Sequence, residues 1–146
     1  MKPVWSFEKH TSLTIGQIEA ILFDIKEGEF KSDALPHVLS GKCNCAIEGE
    51  GERFKVFFED GHKEFISMER GNNTLTIQGE WWYKGVYSIH QKSEFRLIRL
   101  DVYNIAENHR WVASLLILPE KRKHKANFEQ FVSGLEKVIQ VDFSEL

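Results

Sequence analysis

The sequence predicts an α+β fold in which a curved antiparallel sheet of seven strands wraps around one long C-terminal helix. Short β-prone runs separated by turn residues recur between positions 42 and 104, and about ten residues per strand is typical of an antiparallel meander. The segment 3–13 supplies the first strand, with Val4, Trp5 and Phe7 near its start, and helical periodicity returns after Asn104. A sheet of this length must curl, and a long helix can cover its concave face, leaving space for a pocket.

Two short helices are expected after the first strand. Thr14 is a favourable N-cap, and the apolar residues after it have helical i, i+3, i+4 spacing. They are Ile15, Ile18, Ile21, Leu22 and Ile25. Gly28 lies where this helix would stop, and the segment 32–41 is interpreted as a second short helix or turn.

Six further strands form the predicted meander. Their ranges are 43–47, 54–58, 64–68, 75–77, 82–89 and 95–103. The connecting residues are turn formers, and Asp60-Gly61 and Gly71-Asn72-Asn73 tolerate the positive φ that tight hairpins need. Neighbouring strands are therefore expected to pair in sequence order.

A long helix is predicted near the C-terminus, with one continuous apolar face. This face comprises Phe128, Phe131, Val132, Leu135, Val138 and Ile139. Its start has two interpretations, because Pro119 can lie in the first turn, or a helix can begin near Asn108 and kink at Pro119. The basic run 121–125 favours the kink, since positive charge is unfavourable at a helix N-terminus.

Composition and charge indicate one globular domain spanning 1–146. The chain is 42% hydrophobic and 28% charged, which excludes a disordered polypeptide. About 70% of the surface can be buried at this length, so neither a disulfide nor a metal is needed for stability. With 19 Lys and Arg against 22 Asp and Glu, the near balance argues against a dedicated nucleic-acid-binding protein.

The expected location is the cytoplasm. Glu8 and Lys9 interrupt the N-terminal segment before an apolar core of signal-peptide length. The longest apolar stretch, 111–118, is far shorter than a membrane span. Cys43 and Cys45 are too close in an extended segment for a structural disulfide, which fits a reducing compartment.

Three motifs between residues 80 and 111 carry a family resemblance. They are Trp81-Trp82-Tyr83-Lys84-Gly85-Val86-Tyr87, Tyr103-Asn104-Ile105-Ala106 and Arg110-Trp111. With the order of elements, they resemble the SRPBCC superfamily, also called START-like, birch-pollen-allergen-like or polyketide cyclase-like, and specifically a bacterial branch without an assigned activity. The resemblance implies a helix-grip fold with a hydrophobic cavity between sheet and C-terminal helix. Members bind or carry lipids, sterols and polyketides, some cyclise polyketides, and others are co-chaperones or toxins.

This resemblance implies binding or carriage of a small hydrophobic or amphipathic ligand, lipid- or polyketide-like, in that cavity. The apolar walls are expected to come from Ile21, Phe23, Phe58, Trp82, Val86, Val102, Phe128, Val132 and Leu135. The polar end of the ligand is expected to be oriented by Tyr87, Tyr103 and Asn104. Which strand face lines the cavity stays open, because a shift of one residue exchanges the two faces. The same aromatic residues would also suit a filled core.

A cavity-based enzyme, cyclase- or hydrolase-like, is the first alternative function. His90 and Asp101 lie across a predicted hairpin and are the candidate pair for proton transfer. No serine elbow, carboxylate pair or cysteine–histidine signature accompanies them. We therefore expect no catalytic residues and prefer binding to turnover.

Metal and nucleic-acid sites are also considered. Cys43 and Cys45 with His37 are suitable zinc ligands, but a second ligand pair is missing, with only His62 and His90 to complete it, so no metal or other cofactor is expected. The basic run 121–125 can meet anionic lipid or RNA, but it lacks interleaved aromatic residues. Neither a specific nucleic acid nor stable membrane association is expected.

The remaining interpretation is a protein-interaction or stress-response module without a ligand. Trp5, Trp81 and Trp82 are expected to place large rings on the edges of the sheet, and alternation directs at least one of the adjacent pair outward. An exposed tryptophan often anchors an interface. The chain is expected to be a monomer or a homodimer.

Overall fold

The computed structural model describes residues 2–31, 35, 39, 44–59, 65–71, 73–79, 82–107 and 109–144. It has an α+β fold, as predicted. The strands are β1 (Trp5–Thr11), β2 (Gly28–Phe30), β3 (Cys45–Glu50), β4 (Arg53–Phe58), β5 (Phe65–Gly71), β6 (Thr74–Gln78), β7 (Tyr83–Lys92) and β8 (Phe95–Asn104). The helices are α1 (Ile15–Leu22), α2 (Arg110–Ile117) and α3 (Lys121–Ser144).

The sheet of the described residues has eight antiparallel strands, in the order β1-β8-β7-β6-β5-β4-β3-β2. From β3 to β8 each strand pairs with the next in sequence, as the hairpin spacing predicts. Seven strands were predicted, and the additional strand is β2. In β2, Gly28 lies opposite Ile47 and Phe30 lies opposite Cys45. A strand of three residues is too short to produce a recognisable alternation.

Helix α1 begins where the sequence predicts. The Thr14 hydroxyl accepts a hydrogen bond from the Gln17 backbone N–H at 3.1 Å, and the Gln17 side-chain oxygen accepts one from the Thr14 N–H at 2.9 Å. This reciprocal pair is a capping box, which satisfies two donors at the helix start. The second short helix expected at 32–41 lies outside the described residues, apart from Leu35 and the buried Leu39.

The C-terminal segment follows the second of the two interpretations. Helix α2 begins at Arg110, a 3-10 turn at Leu118–Glu120 contains Pro119, and α3 starts at Lys121. Proline lacks an N–H and clashes with the preceding helical turn, so the helix is interrupted there. Among the described residues, no helix is long and apolar enough to cross a membrane.

Helix α3 packs along the inner face of the sheet at β1. The ring of Trp5 lies 5.1 Å from that of His124, and Phe7 stacks on Phe128 at 6.1 Å. The later residue of β1 contacts the later residue of α3, so the two elements run in the same direction. On the inner face, one hydrophobic core includes residues of α1, α3 and the sheet: Ile18, Leu22, Ile47, Val56, Leu75, Leu100, Val102, Val132 and Leu135.

Candidate functional site

Burial along β7 and β8 decides which strand face is the inner one. Gly85 and Ile89 of β7 are buried, as are Leu100 and Val102 of β8. Gly85 lies opposite Val102, and Tyr87 lies opposite Leu100. Because side chains alternate along a strand, Tyr83 shares this inner face with Gly85 and Tyr87.

Tyr83 lies across Gly85. A β-carbon built at position 85 would clash with the Tyr83 hydroxyl oxygen and would lie 2.9 Å from Tyr83 Cζ and 3.2 Å from Leu100 Cδ1. The Tyr83 phenol therefore occupies the space that a side chain at position 85 would fill. This arrangement directs the Tyr83 ring along the strand towards Tyr87.

The two phenols are largely buried in the fold, although neither tyrosine is completely enclosed. Burial raises the pKa of Tyr83 to about 12. Burial raises the pKa of Tyr87 further above its ordinary value, and the nearby Tyr83 adds to the effect. Both groups are thus neutral hydrogen-bond donors at physiological pH.

Neither hydroxyl has a protein partner among the residues that the structure describes. Both tyrosines nevertheless remain partly exposed, although burial desolvates their phenols. Buried hydroxyls usually have a hydrogen-bond partner, so this pair calls for an acceptor.

Aromatic side chains surround the two tyrosines. From α3, His124 stacks on Tyr83 at 6.0 Å and Phe131 lies against Tyr87 at 5.0 Å. Trp82 meets Tyr83 edge to face at 5.5 Å. The site therefore combines aromatic neighbours with two phenolic donors on one strand face, the types of side chain that line small-molecule pockets.

The predicted wall residues divide into two groups by burial. Ile21, Phe23, Phe58 and Trp82 are only partly buried and pack against the core, as does Tyr87. The completely packed residues are Val102, Phe128, Val132 and Leu135. The first group retains surface that a ligand can touch, whereas the second group supports it from behind.

Val86 and Tyr103 lie on the other face of the sheet. Val86 is opposite Asp101, and Tyr103 is opposite Lys84, whose ammonium nitrogen lies 6.0 Å from the Tyr103 ring centre. The structure does not bring these two side chains to the interior. Alternation along β7 separates Val86 from Tyr87, as the sequence already required.

Asn104 is buried, and its amide binds the protein itself. Its nitrogen donates to the Arg110 carbonyl and to the Ser114 hydroxyl, each at 3.1 Å, while its oxygen accepts from the Ala106 N–H at 3.1 Å. Arg110 Nε in turn donates to the Ala106 carbonyl at 3.1 Å. These bonds fix α2 to the end of β8, so the motif residues Asn104, Ala106 and Arg110 have a structural role here.

Tyr83 and Phe131 lie in the site although neither was among the site residues predicted from the sequence. Tyr83 was detectable, because a residue four positions from Tyr87 on a strand lies on the same face. The signal for Phe131 was its place on the apolar stripe of α3. Its pairing with Tyr87 depends on how α3 crosses the sheet.

The candidate proton-transfer pair is separated and lies on the outer face. The His90 ring pairs with the Ser88 hydroxyl at 2.8 Å. Asp101 accepts from Ser6 at 2.6 Å and from Arg99 at 2.9 Å. His90 and Asp101 therefore have different partners, away from the two buried phenols.

The residues considered for zinc do not assemble a site in the described part of the chain. Cys45 is buried in the core beside Ile47, and Cys43, His37 and His62 lie outside the described residues. No group of three His, Cys, Asp or Glu side chains comes together among the residues described.

Comparisons with protein-family models, curated proteins and solved structures find no match to this chain.

Proposed function

We propose that this protein binds and carries a small hydrophobic or amphipathic molecule, lipid- or polyketide-like, between the sheet and α3. The proposal takes the fold as a helix-grip, with α3 as the gripped helix, and places the protein in the cytoplasm without a cofactor. The observation that carries it is the pair of desolvated hydroxyls of Tyr83 and Tyr87, which have no hydrogen-bond partner in the described part of the chain.

The energetics of these hydroxyls favour a bound oxygen acceptor. A buried polar group left without a partner costs about 1–3 kcal/mol. A ligand whose carbonyl, carboxylate or ether oxygen lies between the two phenols recovers this cost. Its apolar part would contact the partly buried side chains Phe131, Trp82 and Phe23.

Binding is favoured over turnover by the position of the titratable candidates. His90 and Asp101 lie on the opposite face of the sheet from the phenols. The raised pKa of Tyr83, about 12, makes its phenol a donor and a poor general base near neutral pH.

The first experiment is native mass spectrometry of freshly purified protein, followed by denaturing extraction and identification of any released molecule. A co-purified apolar or amphipathic compound supports the proposal and names the ligand class. The second is titration with a fluorescent fatty acid and with the corresponding hydrocarbon, which lacks the acceptor oxygen.

The three tyrosines provide a matched set of variants for that titration. The double variant Tyr83→Phe/Tyr87→Phe removes only the two hydroxyls, and Tyr103→Phe makes the same change on the outer face. We expect the double variant to bind the fatty acid about three- to tenfold more weakly per lost hydrogen bond and the hydrocarbon unchanged. Equal affinity for the fatty acid in the unaltered protein, the double variant and Tyr103→Phe would show that the phenols do not hold the ligand.

A further inference from the structure

Helix α2 has two apolar faces, and among the residues that the structure describes one is buried and the other is exposed. Ala113 and Ile117 are buried in the fold. On the opposite side Trp111 and Leu115 lie one turn apart, at 67% and 62% exposure, and Leu118 continues the stripe at 62%. Leu116, beside them, is 60% exposed. We call Trp111, Leu115, Leu116 and Leu118 the docking patch.

The docking patch is unusual within this protein. The other large apolar side chains exposed among the described residues are scattered, and each is only about 40% exposed: Val4, Phe57, Phe95 and Val138. Single exposed apolar residues are common on any protein, but a contiguous group marks an interaction surface. A tryptophan flanked by leucines on one helix face is also the composition of helices that lie in a membrane interface.

The patch is held in place by the fold. The backbone at the start of α2 is fixed by Asn104, which donates to the Arg110 carbonyl, and by Arg110, which donates to the Ala106 carbonyl. Ser114, one helical turn later, is bonded to Asn104. The exposed stripe is therefore presented by an anchored helix.

A basic cluster adjoins the patch. Lys121, Arg122, Lys123 and Lys125 are all exposed, and they follow Leu118 within about two helical turns. The whole chain carries a net charge of −3, so this positive region is local. Glu120, which pairs with His124 at 3.7 Å, is the acidic side chain between the patch and the cluster.

We propose that the docking patch and the basic cluster together bind an anionic lipid surface. The apolar stripe of α2 would insert at the boundary between headgroups and acyl chains, and the basic side chains would contact the lipid phosphates and carboxylates. This contact is peripheral and reversible, and it does not depend on whether the interior holds a ligand.

Other occupants fit the charges and the side chains less well. In a two-fold symmetric dimer formed through this face, the same surface meets itself and the two basic clusters approach each other. Single-stranded nucleic acid stacks on aromatic rings, whereas three of the four patch residues are leucines. An anionic membrane matches both the apolar and the basic part.

Sedimentation with lipid vesicles tests the proposal. The protein is mixed with vesicles of phosphatidylcholine alone, or of phosphatidylcholine with phosphatidylserine, over a series of salt concentrations. We expect binding to the vesicles that contain phosphatidylserine, weakening as salt screens the charges. Equal binding to both compositions, or no binding to either, would overturn the proposal.

Two pairs of variants separate the apolar and electrostatic contributions. Trp111→Ser/Leu115→Ser is compared with Val4→Ser/Val138→Ser, which changes exposed apolar residues elsewhere. Lys121→Glu/Arg122→Glu is compared with Lys92→Glu/Lys137→Glu, which changes the net charge equally. We expect the patch variant and the basic-cluster variant each to lose about tenfold or more in vesicle affinity and both controls to bind like the unaltered protein. Equal loss in a variant and its control would contradict the assignment.

A third readout tests insertion and does not depend on destabilising changes. Bromine-labelled acyl chains quench tryptophan fluorescence on contact, and the conservative variant Trp111→Phe should retain binding while losing most of the quenching. Quenching that persists in Trp111→Phe would place another tryptophan at the membrane. Sedimentation equilibrium without lipid completes the test, because a dimer abolished by Trp111→Ser/Leu115→Ser, without vesicle binding, would assign the patch to a second copy of the chain.

Discussion

The phenol of Tyr83 occupies the volume above Gly85 that a side chain would otherwise fill. A β-carbon at position 85 would lie 2.9 Å from Tyr83 Cζ, closer than packed carbon atoms approach. Gly85 therefore has a steric role in the site, because it allows two tyrosines four residues apart to converge on one interior face.

Gly85→Ala should displace Tyr83 and disturb the site. We expect a loss of about 1–3 kcal/mol in the free energy of unfolding, as for other overpacked positions, together with weaker binding of the fatty-acid probe. Chemical denaturation and the fluorescence titration measure the two effects. Gly16→Ala is the control, since its nearest neighbour, Thr14 Oγ1, is 4.0 Å away, and in a helix this change should stabilise by about 0.5–1 kcal/mol. A Gly85→Ala protein as stable as the original would refute the close contact.

Asn104→Ala should loosen the connection between β8 and α2. The change removes three hydrogen bonds and leaves the buried Ala106 N–H without its acceptor, so we expect a loss of about 2–4 kcal/mol. Denaturant unfolding measures the loss, and hydrogen exchange should show faster exchange within α2. Gln91→Ala, which removes one exposed bond to Ser93, should change stability by less than about 0.5 kcal/mol.

The protein should lose stability in alkaline solution through its two inner tyrosines. An unfolded tyrosine titrates near pH 10.0, whereas Tyr83 titrates near 12 in the folded protein, so between these values the unfolded chain releases protons that the folded chain keeps. The contribution of Tyr83 is therefore fully present below pH 10 and is lost as pH rises towards 12. Thermal unfolding followed over this range should show a steeper fall for the unaltered protein than for Tyr83→Phe/Tyr87→Phe. Parallel curves would mean that the phenols are not desolvated.

Truncating two leucines of the C-terminal helices should change the free energy of unfolding by very different amounts. Leu135 is completely buried against the sheet, and Leu115 is 62% exposed. Leu135→Ala should cost about 2–5 kcal/mol of unfolding free energy, because it leaves a cavity in the core. Leu115→Ala should change it by less than about 0.5 kcal/mol. Comparable losses in urea unfolding would show that the outer face of α2 is covered in the free protein.

Several features follow from local sequence alone, because the forces that set them act between near neighbours. Thr14 and Gln17 form the predicted capping box, and Asn73 in the β5–β6 turn has the positive φ expected there. The hairpin spacing between positions 42 and 104 placed the six strands of the meander in their pairing order. The interruption at Pro119 also follows from chemistry that one residue carries.

Only the tertiary structure decided which strand face is inside. Alternation made Tyr87 and Val86 face opposite ways, but both sets contain apolar and aromatic residues, so packing of α3 had to select one. The same packing brought Phe131 to Tyr87, and it left Tyr103 outside. The Asn104 amide donates hydrogen bonds to Arg110 and Ser114 of α2. No pattern within β8 could specify these contacts.

The sequence by itself determined the pairing order of the six meander strands, the start of α1 and the α+β class of this protein, because period, capping and turn chemistry are local. The tertiary structure alone determined the short edge strand β2, the pair of buried phenols and the exposed stripe on α2. These three features depend on contacts between distant parts of the chain. The burial that desolvates the phenols arises only when those contacts form.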